Sequence, residues 1–153
     1  MGNERYELDI SSDMMAFEFT SVRPKGKIPK LVIYSKTGIK GLYNLGFGDK
    51  DINTGKIDDL VITDNKDSVK VLATVASTIY AFMTKYPNAA VAATGSTKAR
   101  TRLYQMGISN NLEEICKDFN VFGRIDRFWY PFEKNITFNA FLVISKKNKI
   151  WKI

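Results

Sequence analysis

The sequence predicts an α+β fold in which an antiparallel four-stranded meander is followed by a long helix and then by a β-α-β-β segment. Within residues 1–65, short runs alternate apolar and polar residues, as half-buried strands do. Residues 66–87 carry apolar residues at helical spacing, and residues 88–153 contain short apolar runs around a second helical stretch. The 153 residues include no linker rich in Pro, Gly or Ser, so we expect a single domain.

The meander is predicted from alternating runs that are separated by turns. The runs cover residues 6–10 together with 17–22, then 28–34 and 42–48, and lastly 58–63, which is counted as the fourth strand and is centred on Leu60 and Ile62. Phe17 and Phe19 share one face of their strand and are expected in the core. Pro29 indicates that its strand lies at a sheet edge or begins to pair late, because proline has no N–H to donate.

The long helix is the clearest element of the sequence. Asp64 and Asn65 are suitable N-cap residues, and apolar residues recur at helical spacing until Tyr86 and Pro87 end the run. The breadth of this apolar face predicts that the helix lies across the sheet.

The second half of the chain is predicted to complete the sheet. Residues 89–94 are small and apolar, which suits a crowded central strand. A helical region over 97–119 is expected to break at Gly107. Residues 121–130 and 137–145 are predicted to close the fold as an antiparallel pair around a turn near 133–135.

Positive charge is concentrated in the second half of the chain. Residues 1–65 contain nine Lys or Arg and ten Asp or Glu, whereas residues 66–153 contain fourteen and six. The net charges are therefore −1 and +8. A basic excess in one half is typical of a nucleic-acid-binding surface, although a basic surface that serves solubility is the alternative.

The residue types exclude several kinds of chemistry. The chain has no histidine and one cysteine, Cys116, so an internal disulfide, a familiar zinc site and histidine-based catalysis are excluded. Cys116 is expected to be a small buried residue on the apolar face of its helix. The aspartates Asp49, Asp51, Asp58 and Asp59 match no EF-hand spacing, so we predict a polar loop there rather than a metal site, and no cofactor.

The strongest candidate site is the junction between residues 89–94 and the helix that follows. A strand that leads through Gly95, Ser96 and Thr97 into a helix presents free N–H groups and the positive end of the helix dipole. Three cations follow at once and are expected to contact an anion: Lys98, Arg100 and Arg102. The alternative is an ordinary Ser/Thr N-cap with surface cations.

A second candidate lies near the C-terminus, where aromatic and basic residues are interleaved. Arg124 and Arg127 precede the aromatic residues Phe128, Trp129 and Tyr130. Single-strand binders use such a mixture, with aromatic rings for stacking and cations for phosphate contact. In a one-sided sheet, either Trp129 or the pair Phe128 and Tyr130 would point outward. We therefore expect Trp129 or Tyr130 to offer a stacking surface.

Two family resemblances accompany these residues. The segments YNLGFGDKD, DDLVITDN, KVLATVASTIYAF, YPNAAVAATGSTKARTRLY and NAFLV resemble an uncharacterised bacterial family, a domain of unknown function. The meander and long helix also resemble the module of Whirly and PUR-alpha type single-stranded nucleic-acid binders. Residues 25–31 are loosely similar to a basic Lys-Gly-Lys stretch of Whirly proteins, which implies phosphate contacts from Lys25 and Lys27.

These observations predict a cytoplasmic protein that binds nucleic acid, single-stranded DNA or RNA, through its basic half. The first alternative is an enzyme that acts on a phosphorylated small molecule or nucleotide at residues 95–97, with Glu113, Glu114 or Tyr104 as acid or base. The second is an interaction module of a two-protein pair, in which the basic tail KKNKIWKI docks on a small acidic protein. We also expect a homodimer and no membrane association.

Overall fold

The computed structural model describes residues 3–22, 24–58 and 63–151. Over these ranges it has an α+β fold with an eight-stranded mixed sheet, mostly antiparallel, and three helices. The strands are β1 (Asp9–Ile10), β2 (Ala16–Val22), β3 (Lys27–Lys36), β4 (Leu42–Asp49), β5 (Ala90–Ala93), β6 (Phe119–Ile125), β7 (Phe128–Pro131) and β8 (Ala140–Ser145). The helices are α1 (Ser68–Lys85), α2 (Lys98–Asn110) and α3 (Leu112–Asp118). Residues 59–62, including Leu60 and Ile62 of the strand predicted over 58–63, lie outside the described residues.

Strands β1 to β4 form an antiparallel meander, and the long helix α1 packs on it as predicted. Phe17 and Phe19 of β2 are 0% and 2% exposed, which confirms that they lie in the core. The ring of Phe82 from α1 stacks on Tyr34 of β3 with 4.2 Å between centroids. Aromatic packing of this kind fixes the helix over the middle of the meander.

Helix α1 begins later than the predicted cap. Asp67 occupies the N-cap position. Asn65 is buried, and its side chain accepts the backbone N–H of Lys25 at 2.6 Å and donates to the carbonyl of Gly26 at 3.1 Å. Asn65 therefore holds the turn between β2 and β3 in place of capping the helix.

The sheet order is β1-β2-β3-β4-β5-β8-β6-β7, so the last strand lies between β5 and β6. The predicted strand over 121–130 is two strands, because Asp126 adopts a left-handed conformation (φ 55°) and turns the chain. Asp tolerates this conformation better than most residues. The closing hairpin is therefore β6–β7, and β8 pairs with β6 on its other side.

Helix α2 passes through Gly107 without the predicted break. The chain changes direction at Asn111, which is buried and donates from its side chain to the carbonyl of Gly107 at 2.8 Å. The seven-residue helix α3 follows and buries Ile115. Cys116 is exposed, so the prediction that it is buried is wrong. Helix α3 buries the side that carries Ile115, and Cys116 lies about 100° further around the helix, on a side that faces solvent.

Pro29 lies inside the sheet rather than at its edge. It pairs with Thr20 of β2, while the pairing of β3 with β4 ends at Lys30 and Asp49. The Pro29 carbonyl accepts the N–H of Lys50, the residue directly after β4, and the N–H that proline lacks falls just outside the β3–β4 ladder. The prediction that this strand begins to pair late is therefore confirmed on the β4 side, whereas the alternative of a sheet edge is wrong because β3 pairs with both β2 and β4.

The C-terminal segment folds onto the chain's own sheet. Trp151 packs with Leu42, Phe122 and Ile144 on the face opposite the helices. The side chain of Asn148 accepts the backbone N–H groups of Ile150 and Trp151, both at 2.7 Å. Up to Trp151 the tail is therefore docked internally, and the last two residues of KKNKIWKI lie outside the described ranges. None of the helices in those ranges is both long and apolar enough to cross a bilayer.

Candidate nucleic-acid interface

The junction between β5 and α2 has the predicted order of strand, turn and helix. Thr97 is the N-cap, and its hydroxyl accepts the backbone N–H of Arg100 at 3.2 Å. A Cβ on Gly95 would collide with the backbone nitrogen of Thr101 and lie 2.7 Å from the carbonyl carbon of Arg100. Gly95 therefore allows the turn to touch the backbone of the first turn of α2. Ser96 is exposed beside the turn.

Arg100 faces the interior instead of solvent. It is 8% exposed, and its guanidinium donates to the carbonyls of Phe47 at 3.2 Å and Asp58 at 2.6 Å. Gly48 leaves room for it, since a Cβ there would lie 3.1 Å from Arg100 Nη1. The fork of donors joins the end of β4 and the loop after it to α2. The prediction that Arg100 contacts an anion is thereby corrected, because the guanidinium is buried and directed at two backbone carbonyls of the fold.

One turn further along α2, Tyr104 reinforces the same connection. Its hydroxyl accepts the backbone N–H of Phe47 at 3.1 Å. Burial raises the pKa of the Tyr104 phenol. Arg100 and Tyr104 thus bond to the carbonyl and the N–H of Phe47, at a position along β4 that lies beyond its pairing with the short strand β5.

The opposite side of α2 borders an open cleft of about 960 Å³. The second wall is formed by the β6–β7 turn and by residues 135–139. We call this space the basic cleft, because Lys98, Arg102 and Arg124 line it together with one carboxylate, Asp126. Within the described residues, none of these three cations forms an ion pair. The structure therefore brings Ser96, Thr97, Lys98 and Arg102 together with Arg124.

Gln105 ties the two walls of the basic cleft together. Its side chain donates to the carbonyl of Ile136 at 2.5 Å and accepts the backbone N–H of Phe138 at 3.1 Å. The ring of Phe138 packs directly on Gly123, where a Cβ would lie 2.6 Å from Phe138 Cδ2. The segment that crosses β6 on its way to β8 is thereby held against α2, and the two walls of the cleft are hydrogen-bonded to each other.

The aromatic residues of β7 lie beside the basic cleft. Phe128, Trp129 and Tyr130 are 62%, 37% and 45% exposed. The prediction that only one alternating set points outward is wrong, because β7 is the edge strand and neither of its faces is covered. Arg124 lies opposite Trp129 in the ladder, with its guanidinium 5.8 Å from the ring centroid. Arg124 also donates from Nε to Asn139 Oδ1 at 2.9 Å.

Pro131 limits what the free edge of β7 can bind. Phe132 donates its backbone N–H to the carbonyl of Val121, so the backbone groups of Phe132 and Tyr130 point toward β6. The backbone groups of Trp129 and Pro131 alternate with these and point toward the free edge of the sheet. Because proline has no N–H, the free edge lacks a donor at this position, which discourages the addition of another strand. The exposed aromatic rings are therefore better suited to contact through their faces.

The two lysines implied by the Whirly-like resemblance lie outside the basic cleft. Lys25 is in the turn between β2 and β3, and Lys27 begins β3; both are exposed. The turn is at the same end of the sheet as the β5–α2 junction, but β4 and the loop after it lie between them. The structure therefore does not join these lysines to Lys98 and Arg102.

The aspartates near β4 are used by the fold. Asp49 accepts from the buried ammonium of Lys30 and from the backbone N–H of Thr63. Asp51 caps the turn after it by accepting from the backbone N–H of Asn53 at 2.8 Å. In the part of the chain that is described, His, Cys, Asp and Glu form no group suited to a metal ion. Asp59 lies outside that part.

The residues considered for acid-base catalysis are not in the basic cleft. Tyr104 is buried on the other side of α2, and Glu114 on α3 pairs with Arg5. Glu113, exposed on the same helix, does not line the cleft either. Gln105 and Asn139 were missed by sequence reasoning, because their importance depends on a chain crossing that has no local signal.

The chain belongs to a family of unknown function (DUF6934), whose model matches residues 2–146. This finding agrees with the resemblance seen around the GSTKARTRLY segment. No curated protein and no solved structure matches the chain. The Whirly-like resemblance therefore receives no support from these comparisons.

Proposed function

We propose that this protein binds single-stranded nucleic acid, with phosphates in the basic cleft and bases on the aromatic residues of β7. The observation that carries the proposal is the presence of three cations without ion-pair partners among the described residues, Lys98, Arg102 and Arg124, in one cleft. The N-terminus of α2 adds the partial charge of its dipole to the same space. Phosphodiesters satisfy both features at once.

The shape of the cleft favours a polymer over a small phosphorylated metabolite. Most of its lining residues are exposed, including Lys98, Arg102 and Asn139, so the space is an open groove. A pocket for a metabolite usually encloses most of its ligand. The only acid among the described lining residues is Asp126, and the candidates named for catalysis lie elsewhere.

Arg124 connects the two parts of the proposed interface. Its side chain lines the cleft and lies over the ring of Trp129. A phosphate held by Arg124 would place the neighbouring base within reach of Trp129 or Tyr130. Aromatic stacking and backbone charge are the two contributions on which sequence-tolerant single-strand binding depends. Lys25 and Lys27 would add phosphate contacts only to a strand that extends beyond the cleft.

The test is a fluorescence-anisotropy titration with labelled single-stranded DNA and RNA over a range of salt concentrations. With three phosphate contacts, log Kd should change with log salt with a slope of about 2. The double variant Lys98→Glu/Arg102→Glu should weaken binding at least about tenfold, because two attractive contacts become repulsive. Trp129→Ala should also weaken binding, since base stacking contributes about 1–3 kcal/mol.

The matched control is Lys36→Glu/Lys40→Glu, which makes the same charge change on two exposed lysines. Lys36 ends β3 and Lys40 lies in the turn after it, at the end of the sheet away from the β5–α2 junction. It should reduce affinity much less than the cleft variant does. Equal losses in both variants would show that net charge alone attracts the strand. Absence of binding at low salt, or binding that salt does not weaken, would disprove the proposal.

A further inference from the structure

The basic cleft has two chemically different parts, which meet at Gln105. The four charged lining residues are Lys98, Arg102, Arg124 and Asp126. Lys98 and Arg102 lie on the first turns of α2, and Arg124 and Asp126 lie at the C-terminal end of β6, which ends on the side of the β5–α2 junction because β5 and β6 both pair antiparallel to β8. Beyond Gln105, the described lining residues are uncharged. This separation follows from the geometry, since α2 runs from the junction past Gln105 to Asn110 while Gln105 holds the opposite wall at Ile136 and Phe138.

The uncharged part offers hydrogen-bonding groups and an apolar contact. Ser109, Asn110 and Thr137 supply hydroxyl and amide groups, and Met106 supplies a flexible apolar side chain. Met106 is 38% exposed, so its side chain is accessible from the cleft. Amides and hydroxyls recognise base edges, and a thioether packs against a planar ring.

We infer that the basic cleft selects among bases: a phosphate occupies the charged part, and the adjacent base is recognised in the uncharged part. The inference rests on the proposed function, because it takes a nucleotide of the bound strand as the ligand. A nucleotide is divided in the same way as the cleft: its phosphate is charged, and its base carries uncharged hydrogen-bond donors and acceptors. Stacking on β7 remains indifferent to base identity, since every base has an aromatic face.

The rigidity of the cleft supports selection. Both hydrogen bonds of Gln105 cross between the walls, to Ile136 and Phe138 on either side of Thr137, so Thr137 is held against α2 without a ligand. Groups that are held in place discriminate better than mobile ones, because an ill-fitting base cannot be accommodated by rearrangement. A base that leaves these groups unpaired would therefore bind more weakly.

The test compares equal-length, fluorescently labelled oligo(dA), oligo(dC) and oligo(dT) in anisotropy titrations at one salt concentration. We expect Kd values that differ by about fivefold or more, as one or two specific hydrogen bonds would produce. The variant Asn110→Ala/Thr137→Val should reduce this difference to less than about twofold. Its salt dependence should match that of the wild type, because all phosphate contacts remain.

The matched control is Asn120→Ala, which removes an exposed amide from β6 outside the basic cleft and should preserve the preference. Equal affinity of the wild type for all three oligonucleotides would overturn the inference and leave the proposed function standing. A preference that persists in Asn110→Ala/Thr137→Val would also overturn it. If none of the oligonucleotides binds at low salt, the proposed function fails as well.

Discussion

Neighbouring cations of α2 have different surroundings and therefore different roles. Lys98 is exposed at the mouth of the basic cleft, whereas Arg100 is buried and donates to two backbone carbonyls. Because Lys98 and Arg100 are two positions apart on the same turn of α2, their spacing alone does not predict which side chain is buried. The deciding factor is that the end of β4 and the loop after it offer the carbonyls of Phe47 and Asp58 on one side of the helix.

We expect Arg100→Ala to lower the free energy of unfolding by about 2–4 kcal/mol, because it leaves a buried carbonyl without a donor and removes a packed side chain. Lys98→Ala should change it by less than about 0.5 kcal/mol. Urea unfolding monitored by circular dichroism measures both values. Similar small losses in the two variants would contradict the structural role of Arg100.

Arg100→Lys provides an intermediate test of the same contact. A single ammonium cannot reproduce the planar fork that reaches both carbonyls, so this variant should also be destabilised. Full retention of stability would mean that charge alone, rather than the two directed hydrogen bonds, is sufficient at this position.

At the scale of helices and strands, elements with a long repeating pattern were predictable and their connections were not. The periodicity of α1 and the alternation of β2 and β4 follow from which side chains contact the core, so the sequence carries them directly. Asn65 looked like a helix cap, but its partners lie at Lys25 and Gly26. Pro29 was compatible with a sheet edge or a late start to pairing, and only the fold shows that the ladder between β3 and β4 begins one residue after it.

The candidate site divides in the same way. The β5–α2 junction and the cations on α2 were visible in the sequence, because strand, turn and cap are local. The second wall of the basic cleft was not, because it depends on residues 135–139 crossing β6. Arg124 was noticed as a basic residue among aromatic ones, but its position opposite Lys98 and Arg102 required the fold.

Helix α2 can be stabilised at Gly107, which lies within it and carries no positive φ. A Cβ there would meet Leu72 of α1 at 3.5 Å, an ordinary contact, beside an apolar void of about 40 Å³. We expect Gly107→Ala to raise the free energy of unfolding by about 0.5–1 kcal/mol, through helix propensity and closer packing. Thermal and urea unfolding test this, and a loss of stability would show that α1 and α2 cannot accept the methyl group.

For the whole molecule, the boundary between sheet and helices contains several tyrosines whose ionisation is suppressed. Burial raises the pKa of Tyr34 on β3, where the phenol is enclosed and hydrogen-bonded to Thr78 at 2.7 Å. Burial, followed by the charge of Glu114, raises the pKa of Tyr80 on α1 to about 12. Each phenol therefore stays protonated in the folded chain at a pH where the unfolded chain has lost the proton.

The free energy of unfolding should accordingly fall as pH rises above about 10, the ordinary pKa of tyrosine. Between that pH and the raised pKa values, the unfolded chain binds fewer protons than the folded chain, so a higher pH favours unfolding. Urea midpoints between neutral and strongly alkaline pH, at constant ionic strength, measure the decline.

The variant Tyr34→Phe should have a free energy of unfolding that is about 1 kcal/mol lower at neutral pH, because the hydrogen bond to Thr78 is gone.

In the same variant the alkaline decline should be shallower, since one buried phenol no longer titrates. The stacking of the ring on Phe82 is retained by phenylalanine, which keeps the comparison close. An unchanged decline in Tyr34→Phe would show that ionisation of other groups controls alkaline unfolding.

The placement of β8 between β5 and β6 affects how the protein is made. During synthesis, the first five strands and the β6–β7 hairpin emerge from the ribosome before β8, the strand that pairs them with each other in the sheet. They become one sheet only when residues 140–145 arrive and pair on both sides. Until then the apolar surface that awaits Phe141 and Val143 is open to chaperones and to other nascent chains.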